Sequence, residues 1–394
     1  MITISACLIM KNESKSNEFF PDKTNIDVCL GSLKKFCDEI IVIDTGSTDN
    51  SINNAKQYTD KVYEYIQEGS FDFSKARNKS FSMANCDYIL WTDMDDYYSN
   101  ENINKILKLK QESNGKFDYY SWYYDYRHNG DVCTYSFIRD RLVRNNNTFF
   151  WRYSIHEELV CNGRGKTFDN ITTIHTSNHD NGKKYVDMFK KLEKERELYP
   201  REMYYYGGEL FVLGEIDECI RVLEQFETKK YGGSYENKRA QDYLGRCYQY
   251  KKDFVKAKEH FLRYGAYENF NRAAIYNIAN CCFDAGEYKQ AIFYYSIVVN
   301  AEFTNDNLTK INDNKLIIDS CIQLCVCYYR IKDLRKSIYY NNLALKLDPK
   351  NTSANSNAEF FKKFKKWFIK SGKKIHSFLN FMFSFFKEKY IINI

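Results

Sequence analysis

The sequence predicts an α/β domain with a mostly parallel sheet, followed by an all-α domain of helical repeats. In the first half, short apolar runs at 2–10 and 39–44 alternate with helical segments. This alternation is typical of buried parallel strands joined by helices. From about residue 200 only helical patterns occur, and one spacing of small and large residues recurs in them.

The elements of the α/β domain follow from periodicity and from turn residues. We expect strands at 2–10, 39–44, 63–66 and 88–92, and helices at 27–35 and 75–83. The segment 117–178 is more aromatic and alternating, so it is expected to add antiparallel strands.

The repeats share one pattern of four positions. It starts with a small residue, followed three residues later by an apolar or aromatic residue. A second small residue comes nine residues after that, and a large residue four residues further on. Four units carry it: Gly207, Leu210, Cys219, Leu223; Gly245, Tyr248, Ala257, Phe261; Ala279, Cys282, Ala291, Tyr295; and Cys325, Tyr328, Ser337 with Ala344 and Pro349. The units start 38, 34 and 46 residues apart. This pattern matches tetratricopeptide repeats, in which small residues let paired helices approach; generic amphipathic helices are the alternative.

The composition argues against several classes of protein. The net charge is +6, but residues 360–394 hold nine Lys and one Glu, so the rest of the chain carries −2. A near-neutral body argues against nucleic-acid binding. The 13 Cys are odd in number and form no CxxC pair. We therefore expect neither a disulfide framework nor a zinc site, and a reducing, cytoplasmic location.

The C-terminal tail, residues 359–394, places Phe, Trp, Leu and Met side chains at helical spacing, with Lys on much of the other side. This arrangement is typical of a helix on an anionic membrane surface, here the inner face of the plasma membrane. A helix that caps the last repeat is the alternative.

Polar residues stand where the first two strands end. Asn12 and Glu13 follow the first strand, and Asp44 ends the second before a Gly46 turn. In open α/β sheets, ligands bind at this edge. Arg77 is expected in the first turn of a helix, where its guanidinium suits a phosphate. A helix-terminal anion at Asp44 and a surface salt bridge at Arg77 are the alternatives.

An acidic cluster follows the strand at 88–92. Asp93, Asp95 and Asp96 lie so close together that a cation or hydrogen-bond donors must compensate their charges. Carboxylate oxygens suit Mg²⁺ or Mn²⁺. An acidic turn without a metal is the alternative reading.

Two further candidates come later in the chain. Glu157 follows His156 and the aromatic stretch 149–153, where a carboxylate can serve as a general base. His175 ends an apolar run and could complete a metal site or satisfy backbone groups.

Taken in order, these motifs resemble glycosyltransferase family 2, and most of all its branch fused to tetratricopeptide repeats, which includes bacteriocin S-glycosyltransferases and surface-polysaccharide enzymes. The matching segments are 11–13, 42–49, 73–78, 91–96 and 155–157. The resemblance implies a GT-A (Rossmann-like) fold at 1–195, repeats at 196–358, and an inverting transfer from a nucleotide-diphosphate sugar, with a UDP-sugar favoured.

The resemblance also implies roles. The nucleotide sugar would contact Asn12, Glu13, Asp44, Arg77 and Asp93. The metal, Mn²⁺ or Mg²⁺, would bind Asp95, with Asp93 and His175 as further contacts.

The base would be Glu157. Because family members often show Asp-Ala-Asp-Glu where this chain has Met94 and Asp96, Asp96 is a rival base. The acceptor would be a peptide, protein or envelope glycan held by the repeats. The alternative is a non-catalytic repeat scaffold. A nucleotidyltransferase is a third reading, but its glycine- and basic-rich first loop is missing here.

Overall fold

The computed structural model describes residues 1–129, 132–177, 182–231, 233–267, 271–301 and 310–371. The chain divides into two compact units, Met1–Leu213 and a second that begins at Gly214. The predicted boundary at 195/196 differs from this division, which assigns the helix Pro200–Val212 to the first unit.

The first unit holds ten strands and six helices within its described residues. The strands are β1 Ile4–Met10, β2 Glu39–Asp44, β3 Val62–Glu64, β4 Tyr88–Trp91, β5 Asp96–Tyr97, β6 Tyr119–Asn129, β7 Val132–Arg144, β8 Phe150–Arg152, β9 Glu158–Val160 and β10 Gly165–His175. The helices are α1 Asn25–Leu33, α2 Ser51–Ala55, α3 Phe73–Phe81, α4 Asn100–Glu112, α5 Gly182–Glu195 and α6 Pro200–Val212.

Eight of these strands form one mixed sheet in the order β3-β2-β1-β4-β7-β6-β10-β5. The first four run parallel, and β7 then pairs antiparallel with β4. The predicted mostly parallel α/β fold is therefore confirmed, with its antiparallel strands in the segment where they were expected. Parallel pairing brings the carboxyl ends of β1, β2 and β4 to one edge of the sheet.

Strands β1, β2 and β4 are mostly apolar because the sheet is covered on both faces. Along β1, Leu8 and Met10 pack into one buried cluster while Cys7 packs into the other. A strand buried on both sides needs apolar residues at every position. Helix α1 begins at a capping box in which Thr24 and Asp27 bond each other's backbone amides.

Helices connected by turns make up the described residues of the second unit. Its helices are α7 Ile216–Thr228, α8 Ser234–Tyr250, α9 Phe254–Ala266, α10 Arg272–Asp284, α11 Tyr288–Asn300, α12 Lys310–Arg330, α13 Leu334–Leu347 and α14 Thr352–Ser371. They pack in consecutive pairs, α8 with α9, α10 with α11 and α12 with α13.

The turns confirm the register of the repeats. Left-handed residues occur at Gly214, Lys252, Gly286 and Lys332, at intervals of 38, 34 and 46 residues, the intervals of the sequence pattern. The small residues also lie where helices approach each other, since a Cβ placed on Gly245 would lie 2.6 Å from the Phe261 ring.

No helix in the described part of the chain is long and apolar enough to cross a membrane. Of the predicted tail, α14 covers residues as far as Ser371, and the positions from Gly372 onward lie outside the described residues.

Candidate active site

The loops after β1 and β2 form one hydrogen-bonded network. The Asn12 amide donates to Ser47 Oγ (2.9 Å), and Asn12 Oδ1 accepts from the Thr48 amide (2.8 Å). Asn12 has a φ of 56°, which Asn tolerates better than most residues. The predicted residues Asn12 and Asp44 therefore lie in adjoining loops at the expected edge of the sheet.

Asp44 and Glu13 are both held by neighbouring donors. Asp44 is buried, and its Oδ2 accepts from the amides of Gly46 and Ser47 (3.0 Å each). Glu13 accepts from Asn25 Nδ2 (2.7 Å), and burial raises the pKa of its carboxyl. These hydrogen bonds hold both carboxylates in place at this edge of the sheet.

Arg77 joins two of the predicted site residues that are far apart in sequence. Its Nη2 donates to Asp93 Oδ1 and its Nε to Glu157 Oε1, both at 2.7 Å. Helix α3 starts at Phe73, two residues earlier than predicted, after Asp72 caps the Lys75 amide, so Arg77 lies in its second turn and not in the first as expected. Burial alone would raise the pKa of Asp93, but the charge of Arg77 lowers it.

Arg77 lies between aromatic rings. Its guanidinium centre is 4.9 Å from the Trp151 ring centre and 5.3 Å from that of Trp91. Asn78 joins the same helix to β8 by exchanging two 2.8 Å hydrogen bonds with the Trp151 backbone. The aromatic stretch predicted beside Glu157 thus packs against the guanidinium that holds Glu157.

Asp96 is enclosed by donors. It is fully buried, and its oxygens accept from Thr92 Oγ1 (2.8 Å), Arg141 Nη1 (3.1 Å) and Tyr124 Oη (2.9 Å), and from the Asp93 amide (3.0 Å). Burial alone would raise the pKa of this carboxyl, but Arg141 and the hydrogen bonds hold it far below its usual range.

Among Asp93, Asp95 and Asp96, the negative charge of Asp95 is the least compensated by neighbouring groups. Burial raises its pKa to about 7, and the charges of Asp93 and Asp96 add to the shift while His175 opposes it. The Asp95 carbonyl accepts from both the amide and the hydroxyl of Thr176 (2.8 Å each), so its backbone is fixed.

His175 stands beside this cluster at the end of β10. Its Nδ1 lies 2.9 Å from Tyr124 Oη, 3.5 Å from Asp95 Oδ1 and 3.4 Å from Asp96 Oδ1. Its ring stacks on Tyr126, with centres 5.1 Å apart. Burial by itself lowers the pKa of His175, but the hydrogen bond to Asp96 and the neighbouring carboxylates raise it.

These residues can hold a divalent cation. Asp95, Asp96 and His175 each offer a ligand atom, and those atoms lie within 4.8 Å of one another. A hard cation would compensate Asp95, and oxygen and imidazole ligands suit Mn²⁺. Asp93, the third predicted ligand, lies outside this cluster and pairs with Arg77 instead.

Three residues that carry the site had no signal in the sequence. Arg141 and Tyr124 lie in β7 and β6, and together they determine the environment of Asp96. Tyr126 supports His175. Only the aromatic richness of 117–178 hinted at them, and it did not single out any position.

Comparison with known proteins agrees with this geometry. Residues 5–176 match the sequence model of glycosyl transferase family 2. They form a family 2 glycosyltransferase domain. The predicted family is therefore confirmed, and all the predicted site residues, including Glu157 and His175, lie within the matched segment.

Relatives of both parts are known. The SPbeta prophage-derived glycosyltransferase SunS of Bacillus subtilis is 27% identical over 240 residues, which cover 57% of this chain and 53% of SunS. The glycosyltransferase SunS of Bacillus phage SPbeta matches equally. This chain thus spans about half the length of these relatives.

The repeats have relatives of their own. A TPR repeat-containing protein of Synechococcus elongatus is 35% identical over 96 residues, 24% of this chain and 21% of that protein. The crystal structure of YrrB, a TPR protein with an unusual peptide-binding site, covers 45% of this chain and 84% of its own, at 12% identity and a TM-score of 0.36. The chain joins a family 2 glycosyltransferase domain to tetratricopeptide-like repeats.

Proposed function

We propose that the chain is an inverting glycosyltransferase that moves a sugar from a nucleotide-diphosphate sugar to a peptide, protein or envelope-glycan acceptor. The observation that carries the proposal is the cluster of Asp95, Asp96 and His175, whose ligand atoms lie within 4.8 Å of one another, in a family 2 glycosyltransferase domain.

The donor is proposed to lie along this edge. Asn12, Glu13 and Asp44 would line the pocket for the base and ribose, with a UDP-sugar as the favoured donor. Asp95, Asp96 and His175 would hold Mn²⁺ or Mg²⁺. When bound, such a cation would neutralise the charge of the departing diphosphate.

Glu157 is the proposed base. A base must lie within reach of the acceptor, and 15% of the Glu157 side chain is exposed while its Oε1 accepts from Arg77 Nε at 2.7 Å. Asp96 is fully buried and its oxygens already accept hydrogen bonds from the surrounding protein, so an acceptor hydroxyl or thiol has no approach to it. These contacts favour Glu157 over its rival.

The repeats are proposed to recruit the acceptor, because stacked helix pairs offer an extended concave surface. The location in the cytoplasm, with the basic tail on an anionic membrane, remains a proposal. It rests on the Lys-rich sequence of residues 360–394. A truncation at residue 358 that still co-sediments with anionic vesicles would contradict the role of the tail.

Thermal unfolding tests whether the domain binds donor and metal together. A ligand at one hundred times its dissociation constant stabilises a protein by about 2.7 kcal/mol, or roughly 5–10 °C for a unit of this size. UDP-sugar with Mn²⁺ is expected to give such a shift in the wild-type protein and in Asp60→Ala, which removes an exposed carboxylate, but not in Asp95→Ala.

The same measurement separates the enzyme from a repeat scaffold. A scaffold with a degenerate glycosyltransferase domain would show no shift with any UDP-, GDP- or dTDP-sugar, whether or not Mn²⁺ is present. An equal shift in wild type and Asp95→Ala would contradict the metal role of Asp95.

A further inference from the structure

The loop that carries the proposed base is held in an unusual backbone conformation. It runs from Tyr153 to Glu157, between β8 and β9, and two of its residues adopt positive φ, Tyr153 at 71° and His156 at 52°. Residues with side chains occupy this region at a cost, and they stay there only when the surrounding structure enforces it.

The first constraint on the loop is Glu202 of α6. This fully buried carboxylate accepts from the Ser154 amide (3.1 Å) and from two nitrogens of Arg196 (2.7 and 2.8 Å). Ser154 is also tied to the start of α3, because its hydroxyl donates to Asp72 (3.0 Å) and its carbonyl accepts from the Phe73 amide (2.9 Å). The middle of the loop is therefore fixed from two sides.

The second constraint is a set of side chains around His156. Its ring stacks on Tyr205 of α6, with centres 4.4 Å apart and planes at 18°, and lies 4.8 Å from the ring of Tyr185 of α5. The His156 Nε2 atom is 3.2 Å from Glu209 Oε1 of α6. The residue directly before Glu157 is thus held by side chains of α5 and α6.

Helices α5 and α6 both follow the segment 5–176 that matches the family. They also belong to the same compact unit as the sheet. The site residues of the matched segment hold only the carboxylate end of Glu157, through Arg77. The loop that aims this carboxylate is held from two sides, by Asp72 and Phe73 within that segment and by Glu202 and Tyr205 beyond it.

We propose that α5 and α6 are a positioning device for the base: Glu202 and the ring of Tyr205 hold the 153–157 loop in its strained conformation and so keep Glu157 in place. This inference rests on the proposed function, since it assigns the positioning of the base of that same site. Glu202 and Tyr205 act through the loop and need not touch substrate.

The test uses the full chain with Glu202→Gln, and with Tyr205→Leu as a second variant at a partly exposed position. Glu227→Gln is the matched control, because Glu227 also pairs with an arginine, Arg263, but lies in the second unit. Hydrogen exchange of the 153–157 amides and steady-state donor turnover are measured for each protein.

Both loop variants are expected to exchange faster at 153–157 and to lose about 100-fold in kcat, because a displacement of about 1 Å is enough for such a loss. The KM for the donor and the thermal shift with UDP-sugar and Mn²⁺ should stay near wild type, and Glu202→Asp should recover part of kcat. The control should match wild type in every readout. A merely structural role would lower kcat and donor binding together.

Two outcomes would overturn the proposal: unchanged exchange at 153–157 in both variants, or wild-type kcat despite a loosened loop. Exchange needs no donor, so it separates this proposal from the proposed function. A wild-type protein that turns over no donor would count against the proposed function alone, while faster loop exchange in the variants would still support the constraint by α5 and α6.

Discussion

Replacing Arg141 with Met tests whether the buried ion pair behind the acidic cluster is structural. Neither Arg141 nor Asp96 has any exposed side-chain surface, and their nearest atoms are 3.1 Å apart. The guanidinium centre lies 4.1 Å from the Trp91 ring centre and 4.2 Å from that of Tyr124. Met keeps an unbranched apolar chain between these rings but removes the buried cation that pairs with Asp96.

The expected loss follows from this burial. Removing one partner of a buried ion pair costs about 3–5 kcal/mol, because the remaining buried charge has lost its counter-ion. For a unit of this size that lowers Tm by about 10 °C. The double variant Arg141→Met/Asp96→Asn should be more stable than Arg141→Met, with a coupling energy of about 0.5–3 kcal/mol, because an amide needs no counter-charge.

Tryptophan fluorescence during urea unfolding is the assay. Three of the four tryptophans, Trp91, Trp122 and Trp151, are buried in the first unit, so the signal reports chiefly on that unit. A loss below about 1 kcal/mol in Arg141→Met, within the range of an exposed pair, would refute the reasoning. So would a double variant whose losses are simply additive.

Three further predictions concern the base, the repeats and acid stability. Glu157→Gln should keep the thermal shift with donor and Mn²⁺ but stop sugar transfer; if Asp96→Asn alone behaves so in a transfer assay, Asp96 is the base. Gly245→Ala should destabilise the second unit by about 1–3 kcal/mol in thermal unfolding, because the added methyl meets the Phe261 ring; an unchanged Tm would show that the helices can separate at no cost. Glu39 should stabilise the fold at neutral pH: burial would raise its pKa, but hydrogen bonds from Lys61, Ser5 and Asn85 lower it to about 2. Its contribution is complete above the ordinary pKa and is lost as pH falls towards 2, so Glu39→Gln should cost about 1.5–3 kcal/mol at pH 7 and progressively less in urea titrations below pH 4.

Structural features that depend on residues close together in the sequence were predicted best. The apolar runs of β1, β2 and β4 required burial on both faces, and the structure places these strands within two residues of the expected positions. The repeat spacing likewise fixed the register of α8 to α13, because small residues at close helix approaches recur at set intervals.

Contacts between distant segments left no such signal. Arg77 meets Glu157 across 80 residues, and Arg141 meets Asp96 across 45. Nothing in the alternation of β7 distinguishes the buried Arg141 from its partly exposed neighbour Arg139. The choice between Glu157 and Asp96 therefore could not be argued from spacing.

The boundary between the domains likewise depends on contacts between residues that are far apart in the sequence. Periodicity marks α6 as the first repeat helix and predicts that the repeats begin at 196. Contacts from Glu202 and Tyr205 to the 153–157 loop pack this helix against the glycosyltransferase domain. A helix can carry the repeat pattern on one face and still belong to another core.

Release of nucleoside diphosphate from nucleotide sugars tests the central claim most directly. The full chain is incubated with UDP-, GDP- and dTDP-sugars, with Mn²⁺ or with a chelator, beside Asp95→Ala and the control Asp60→Ala. The wild type and the control are expected to release nucleoside diphosphate from one donor class only when Mn²⁺ is present, and Asp95→Ala is expected to release none. Absence of release from every donor, or full release by Asp95→Ala, would contradict the assignment of a metal-assisted glycosyltransferase.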